Sequence, residues 1–91
     1  MAIGSHKTTV AVGRDGVRRL TYHATVVVSE DANGHVTLNS GGYRTVTTKR
    51  RMNEYAQTYG AGMWSVYSRD NQWLLHKPSG VVVSFYDGIE V

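Results

Sequence analysis

Five residues within one short run, Arg44, Lys49, Arg50, Arg51 and Asn53, are of types that could act together on an anion. Guanidinium and ammonium groups next to the unpaired amides of a helix start form a seat for phosphate or carboxylate. The segment TVTTKRRMNEYAQTY, Thr45–Tyr59, reads as the one convincing helix of the chain and places Lys49, Arg50 and Arg51 in its first turn. That is the wrong sign, because helix N-termini favour Asp and Glu by roughly 0.3–1 kcal/mol each. A local rule broken without a visible local gain is where function is expected. The competing structural reading pairs Arg50 and Arg51 with Glu54 at i+4 and i+3, worth only about 0.2–0.5 kcal/mol per pair. On the anion-site reading Arg44, Lys49, Arg50 and Arg51 hold phosphates and Asn53 reaches a base edge. Arg18 and Arg19 extend the patch if their strand end lies nearby.

Other chemistries find less support. Without cysteine there is no disulfide framework, thiolate zinc site or cysteine nucleophile. His6, His23, His35 and His76 form no ligand-spaced pair and have no acidic cluster beside them, so no metal is expected. No serine sits in a nucleophile-elbow motif. Gly41-Gly42 is too short to cradle a phosphate alone, although beside Arg44 it could let an anion approach backbone amides. Tyr86-Asp87-Gly88-Ile89 reads as strand-ending punctuation and not as an acid catalyst. No catalytic residue and no cofactor is implied, and the chain is not expected to be an enzyme.

The whole-chain properties agree with a small binding protein. Ninety-one residues make one domain at most, with 41% apolar and 19% charged residues, a balance suited to a folded core. There is no apolar run near the ~18 residues of a membrane span and no signal-peptide core, so an intracellular protein without membrane association is expected. The net charge of +3 is unevenly spread. Residues 1–53 carry eight basic against three acidic side chains, while residues 54–91 carry two against four. A basic half attracts an anionic partner, nucleic acid first.

The elements that must position these residues follow from periodicity. Residues 1–7 are expected to be a flexible N-terminus and residues 8–91 a single domain. Thr8–Val12 is a short β-branched strand, followed by a Gly13-Arg14-Asp15-Gly16 turn. Val17–Ser29 reads as one long strand, with Leu20, Tyr22, Ala24, Val26 and Val28 on one face. After the turn ending in Asn33-Gly34 comes a strand at His35–Asn39. In the helix, Met52, Tyr55, Ala56 and Tyr59 share a face that should pack on a sheet, while Arg50, Asn53, Glu54 and Gln57 point away. Thr47 or Thr48 is the expected N-cap, and Gly60 the left-handed residue that closes the helix. Aromatic strands at Met63–Ser68 and Gln72–Lys77 flank a turn at Arg69-Asp70-Asn71, and Val81–Tyr86 and Ile89–Val91 finish the chain. The aromatics Trp64, Tyr67, Trp73, Phe85 and Tyr86 are expected mainly in the core, with an exposed subset able to stack bases. The predicted class is α+β: an antiparallel sheet of about five to six strands packed by a single helix, in βββαβββ order, with a partly rolled barrel as its variant.

Three stretches also resemble a known family. They are Tyr22-His23-x-Thr25-x-Val27-Val28, the run Val36–Asn53 centred on SGGYRT-x-TTKRRMN, and the ending Phe85-Tyr86-Asp87-Gly88-Ile89. Together they are similar to a small tailed-bacteriophage protein family, a phage domain of unknown function, from about Leu20 onward. The resemblance implies a phage origin and action in the host bacterial cytoplasm, and it transfers no catalytic residue. The resulting expectation is a non-enzymatic phage accessory protein that binds DNA or RNA through the basic helix start. The alternative is a protein-binding inhibitor of a bacterial host or defence factor, using the same surface on an acidic host protein. A homodimer is expected if a sheet edge or an aromatic face is left exposed.

Overall fold

A computed structural model describes Ile3 and residues 6–91. The expected flexible N-terminus therefore falls partly outside the described residues, at positions 1, 2, 4 and 5. Of its remainder, Ile3 packs against the core and the Lys7 carbonyl accepts the His23 amide at 2.7 Å.

The elements in chain order are β1 (Thr8–Val12), β2 (Arg18–Tyr22), β3 (Thr25–Glu30), β4 (Val36–Leu38), α1 (Val46–Tyr59), β5 (Ser65–Arg69), β6 (Gln72–His76), β7 (Val82–Ser84) and β8 (Ile89–Glu90). Every strand pair is antiparallel. The strands form two sheets, one ordered β1-β2-β3-β4-β8 and one ordered β5-β6-β7, with no closed barrel. The α+β class with a single helix is as expected. The order differs: four strands follow the helix, because Val82–Ser84 and Ile89–Glu90 are separate strands in different sheets, and four precede it, because Val17–Ser29 is a hairpin and not one strand. Its turn is at His23-Ala24, with His23 in the left-handed region at φ 56°. The His23 amide is used by Lys7 across the turn, a partner sixteen residues back that gives no local sequence signal.

A second irregularity lies in the same hairpin. Leu20 pairs with Val28 and Thr21 with Val26, so Val27 is the extra residue of a bulge. A bulge resets the alternation of side chains along its strand. Val27 and Val28 are therefore both buried, whereas Val26, expected on the core face, is 38% exposed.

The core joins both sheets through the helix. Leu20, Val27, Val28, Leu38 and Ile89 of the larger sheet meet Met52, Tyr55 and Ala56 of α1, and Trp64, Val66, Trp73, Leu75 and Phe85 complete the cluster on the other side. Three of the four residues on the expected helix face are buried. Tyr59, at the last position of the helix, is exposed instead and offers its ring to the Arg18 guanidinium at 4.1 Å.

The C-terminal half of the helix is tied to the larger sheet by the Tyr55 hydroxyl, which donates to Glu30 Oε1 at 2.6 Å. Arg18 donates to the same oxygen at 3.4 Å. Burial, then the bond to Glu30, push the Tyr55 phenol well above its ordinary value. It is therefore a permanent donor. Tyr55→Phe keeps the ring and removes one charge-assisted bond, so urea titration should show a loss of about 2 kcal/mol.

The helix ends differ from expectation at both termini, and one difference bears on the site. Thr45 is the N-cap: its hydroxyl accepts the Thr48 amide at 3.2 Å and lies 3.0 Å from the Thr48 hydroxyl. The first turn is thus Val46-Thr47-Thr48, and the basic run begins only at Lys49. The dipole effect falls off within the first turn, so the sign conflict is smaller than the sequence implies. At the other end Gly60 has φ −109°, outside the left-handed region, and Ala61 and Gly62 take up the positive φ. Glycine at 60 has a packing cause, since an added Cβ would meet Trp64 Nε1 at 2.9 Å.

Candidate nucleic-acid interface

The loop Asn39–Thr45 carries Arg44 and leads into α1. It is anchored by Asp87, whose Oδ1 accepts both the Ser40 amide at 2.8 Å and the Ser40 hydroxyl at 2.7 Å. The Asn39 side chain accepts the Gly41 amide at 2.7 Å, closing the loop locally. Burial pushes the Asp87 carboxyl up, but the two Ser40 bonds, the Arg44 charge and the Gly42 amide outweigh it and hold the group below its ordinary value. Asp87 therefore acts as a fixed anchor, and Gly88 adds a backbone bond to the Leu38 carbonyl at 2.8 Å. Gly41 is required here: its φ is +62° and a Cβ would come within 2.7 Å of Thr25.

From this loop Arg44 extends over the aromatic pair Trp73 and Phe85, 5.8 and 5.3 Å from the two ring centroids. Lys49, one turn into the helix, lies 5.7 Å from the same Trp73 ring and donates to the Ser68 hydroxyl at 2.8 Å. The two rings meet edge to face at 5.3 Å and are almost fully buried, a rigid floor. Arg50 is exposed next to Lys49. Both line a shallow groove of about 700 Å³ between α1 and β5, together with Val46, Asn53, Glu54, Tyr67 and Ser68. The groove is therefore basic at its Val46 end and holds a carboxylate one turn further on. The ion pairs Arg18–Glu30, Arg19–Asp15, His35–Asp31 and Arg51–Glu54 do not draw on Arg44 or Lys49. The Arg44 and Lys49 charges are directed by aromatic rings and a neutral hydroxyl.

The other four candidates are held elsewhere. Arg51 is only 6% exposed. Its Nε donates to Thr8 Oγ1 at 2.9 Å and its Nη1 to Glu54 Oε1 at 2.8 Å, which joins α1 to the first strand. The structural reading of the basic run thus holds for Arg51, at i+3. Asn53 was expected to point away, yet its amide donates to the Val66 carbonyl at 2.8 Å and accepts the Val66 amide at 2.7 Å. It completes the free edge of β5 as a neighbouring strand would. Both ends of its amide are bound to the β5 backbone, which fixes the side chain against the sheet and leaves it no freedom to turn toward a base edge. Arg18 lies against Tyr59 and Glu30 at the far end of α1, about 15 Å along the helix from Lys49. Arg19 pairs with Asp15 at 2.7 Å.

Trp73 and Phe85 are the residues that sequence reasoning placed in the core without a role at the site. Their alternation marks them as buried, and only the approach of Arg44 and Lys49 makes them its floor. Tyr67 and Tyr86 supply the exposed aromatic subset. Among the described residues, no group of three or more metal-ligating side chains occurs, and no helix is long and apolar enough to cross a membrane.

The family model described as Kyanoviridae Gp96 protein matches residues 1–91. The chain belongs to that family. This Gp96 family is a phage family, as the resemblance implied, and its match also takes in residues 1–19, which the quoted stretches did not reach. No curated protein and no solved structure matches the chain.

Proposed function

We propose that this Gp96-family chain is a non-enzymatic phage accessory protein that binds nucleic acid in the host bacterial cytoplasm. Arg44, Lys49 and Arg50 are its phosphate contacts. The observation that carries this reading is the pair of cations, Arg44 and Lys49, aimed over one buried aromatic floor with no carboxylate in ion-pair contact. Holding the cations in place reduces the side-chain entropy lost on binding. The adjoining groove, with Lys49 and Arg50 at its basic end and Tyr67 in its wall, gives a phosphodiester backbone a path beside the first two turns of α1, as far as the Glu54 carboxylate that also lines it. Arg51 and Asn53 support this surface from within and make no contact with the ligand.

Fluorescence anisotropy with a labelled single-stranded oligonucleotide tests the proposal. Arg44→Ala/Lys49→Ala should weaken binding at least tenfold at low salt, as expected for two lost charge-assisted contacts. Equal affinity of this variant and wild type would sink the assignment.

A second reading, a protein-binding inhibitor of a host or defence factor, is favoured by the exposed Tyr43, Val46 and Tyr86 around the same cations. Tyrosine and arginine are enriched at protein interfaces. It predicts that one defined host protein stays bound to the chain after nuclease treatment, and that mutating these residues releases it.

A further inference from the structure

The opposite side of the Asn39–Thr45 loop borders a second feature that the phosphate contacts do not use. A recess of about 380 Å³ opens between this loop, the β2–β3 turn and the start of α1, a size within the range of small-ligand sites. Tyr22, His23, Thr25, Ser40, Tyr43 and Thr45 are among its lining residues, and Val27 and Thr48 also line it. No Asp, Glu, Lys or Arg lines it, so a charged ligand group would find no partner there. Its lining is mainly rings, from Tyr22, His23 and Tyr43, with the apolar Ala24 and Val27. Of its aliphatic hydroxyls, Ser40 is bonded to Asp87, Thr45 and Thr48 are bonded to each other, and Thr25 adds a further one. The His23 and Tyr22 rings meet edge to face at 4.4 Å, and the imidazole is presented by a backbone in the left-handed region. Tyr43 is largely exposed.

We propose that this recess takes one unpaired nucleobase from a single strand whose phosphates lie on Arg44, Lys49 and Arg50. An uncharged planar heterocycle with donors and acceptors along its edge matches rings for stacking and the Thr25 and tyrosine hydroxyls for hydrogen bonding. The position matches as well. Tyr43 and Thr45 line the recess while Arg44, between them, reaches over Trp73 and Phe85, so one three-residue segment faces both a base and its phosphate. The inference rests on the nucleic-acid reading above and adds a preference for single strands, because a base held in a duplex is not free to enter.

The test compares a twelve-nucleotide oligothymidylate with a twelve-unit abasic strand of the same phosphate count, by anisotropy at one salt concentration. Wild type should bind the base-bearing strand about tenfold more tightly, the order of one stacked base. Ala24→Trp, at an exposed turn position on the rim, should erase this preference while keeping the abasic affinity, which also shows that the variant is folded. His23→Gly removes the imidazole at a backbone position that glycine adopts freely, and should reduce the preference in part. Equal wild-type affinity for the two strands would overturn the recess and leave the phosphate contacts standing. A base preference that survives Ala24→Trp would overturn it too. If Arg44→Ala/Lys49→Ala loses nothing while the base preference persists, the phosphate assignment fails and the recess stands. Binding of neither strand by wild type overturns both.

Discussion

Replacing Glu54 with alanine is expected to cost about 3–5 kcal/mol. The reason is what remains. Arg51 is buried between α1 and β1, with Glu54 at 2.8 Å as its carboxylate and the Thr8 hydroxyl as a second acceptor. A guanidinium cannot neutralise itself by losing a proton, so the variant must keep an uncompensated charge in the interior or open the contact between helix and strand. For a domain of this size such a loss lowers the melting temperature by more than 10 °C. Arg51→Met/Glu54→Gln, which removes both charges and retains similar volumes, should recover most of the loss. If Glu54→Ala melts within 2 °C of wild type, Arg51 is not the structural cation described here and returns to the list of free ones.

Asp87→Ala should cost about 2–4 kcal/mol, and it also acts on the site. Ser40 is 1% exposed, and both its amide and its hydroxyl donate to this carboxylate. Alanine leaves both without an acceptor, at about 1–3 kcal/mol for each buried group. The loop that carries Arg44 would lose its anchor, so oligonucleotide affinity should fall even where the variant remains folded. Asp87→Asn keeps an acceptor oxygen and should cost less. The pH dependence has a defined sign. The folded value of Asp87 lies below the ordinary 3.8, so its contribution is fully present above 3.8 and is lost as pH falls through the folded value. Asp15 and Asp31 are depressed as well and share that acid limb. The difference between wild-type and Asp87→Asn stability curves isolates Asp87, and it should shrink only below pH 3.8. A difference that is flat down to pH 2 would contradict the anchoring role.

The parts of the fold that were legible in the sequence are those with strong local periodicity. Met52, Tyr55 and Ala56 recur at helical spacing and are buried. The Asp70-Asn71 turn between β5 and β6 has both residues at positive φ, as its residue types imply. What was not legible depends on partners far along the chain. Val17–Ser29 contains no glycine, proline or Asn-Gly pair, and its turn is fixed by Lys7. The N-cap was misplaced at Thr47 or Thr48, because Thr45 has the same residue type and its hydroxyl, which accepts the Thr48 amide, holds the position instead. That shift of two or three residues moved the basic run out of the first helical turn and weakened the dipole argument for a site. Arg44 and Lys49 regain support from a different source, the ring floor of Trp73 and Phe85. Arg51 was read as one of four equivalent cations because nothing local shows that Thr8, 43 residues earlier, lies beside it. Asn53 misled for the same reason, its partner being the edge of β5.

The central claim is that three cations, Arg44, Lys49 and Arg50, meet phosphates while Arg51 does not. The salt dependence of single-stranded oligonucleotide binding tests it most directly, because each phosphate contact contributes about −0.7 to the slope of log affinity against log salt concentration. Wild type should give a slope near −2, and Arg44→Ala/Lys49→Ala/Arg50→Ala a slope close to zero. A triple variant that retains the wild-type slope would contradict the account.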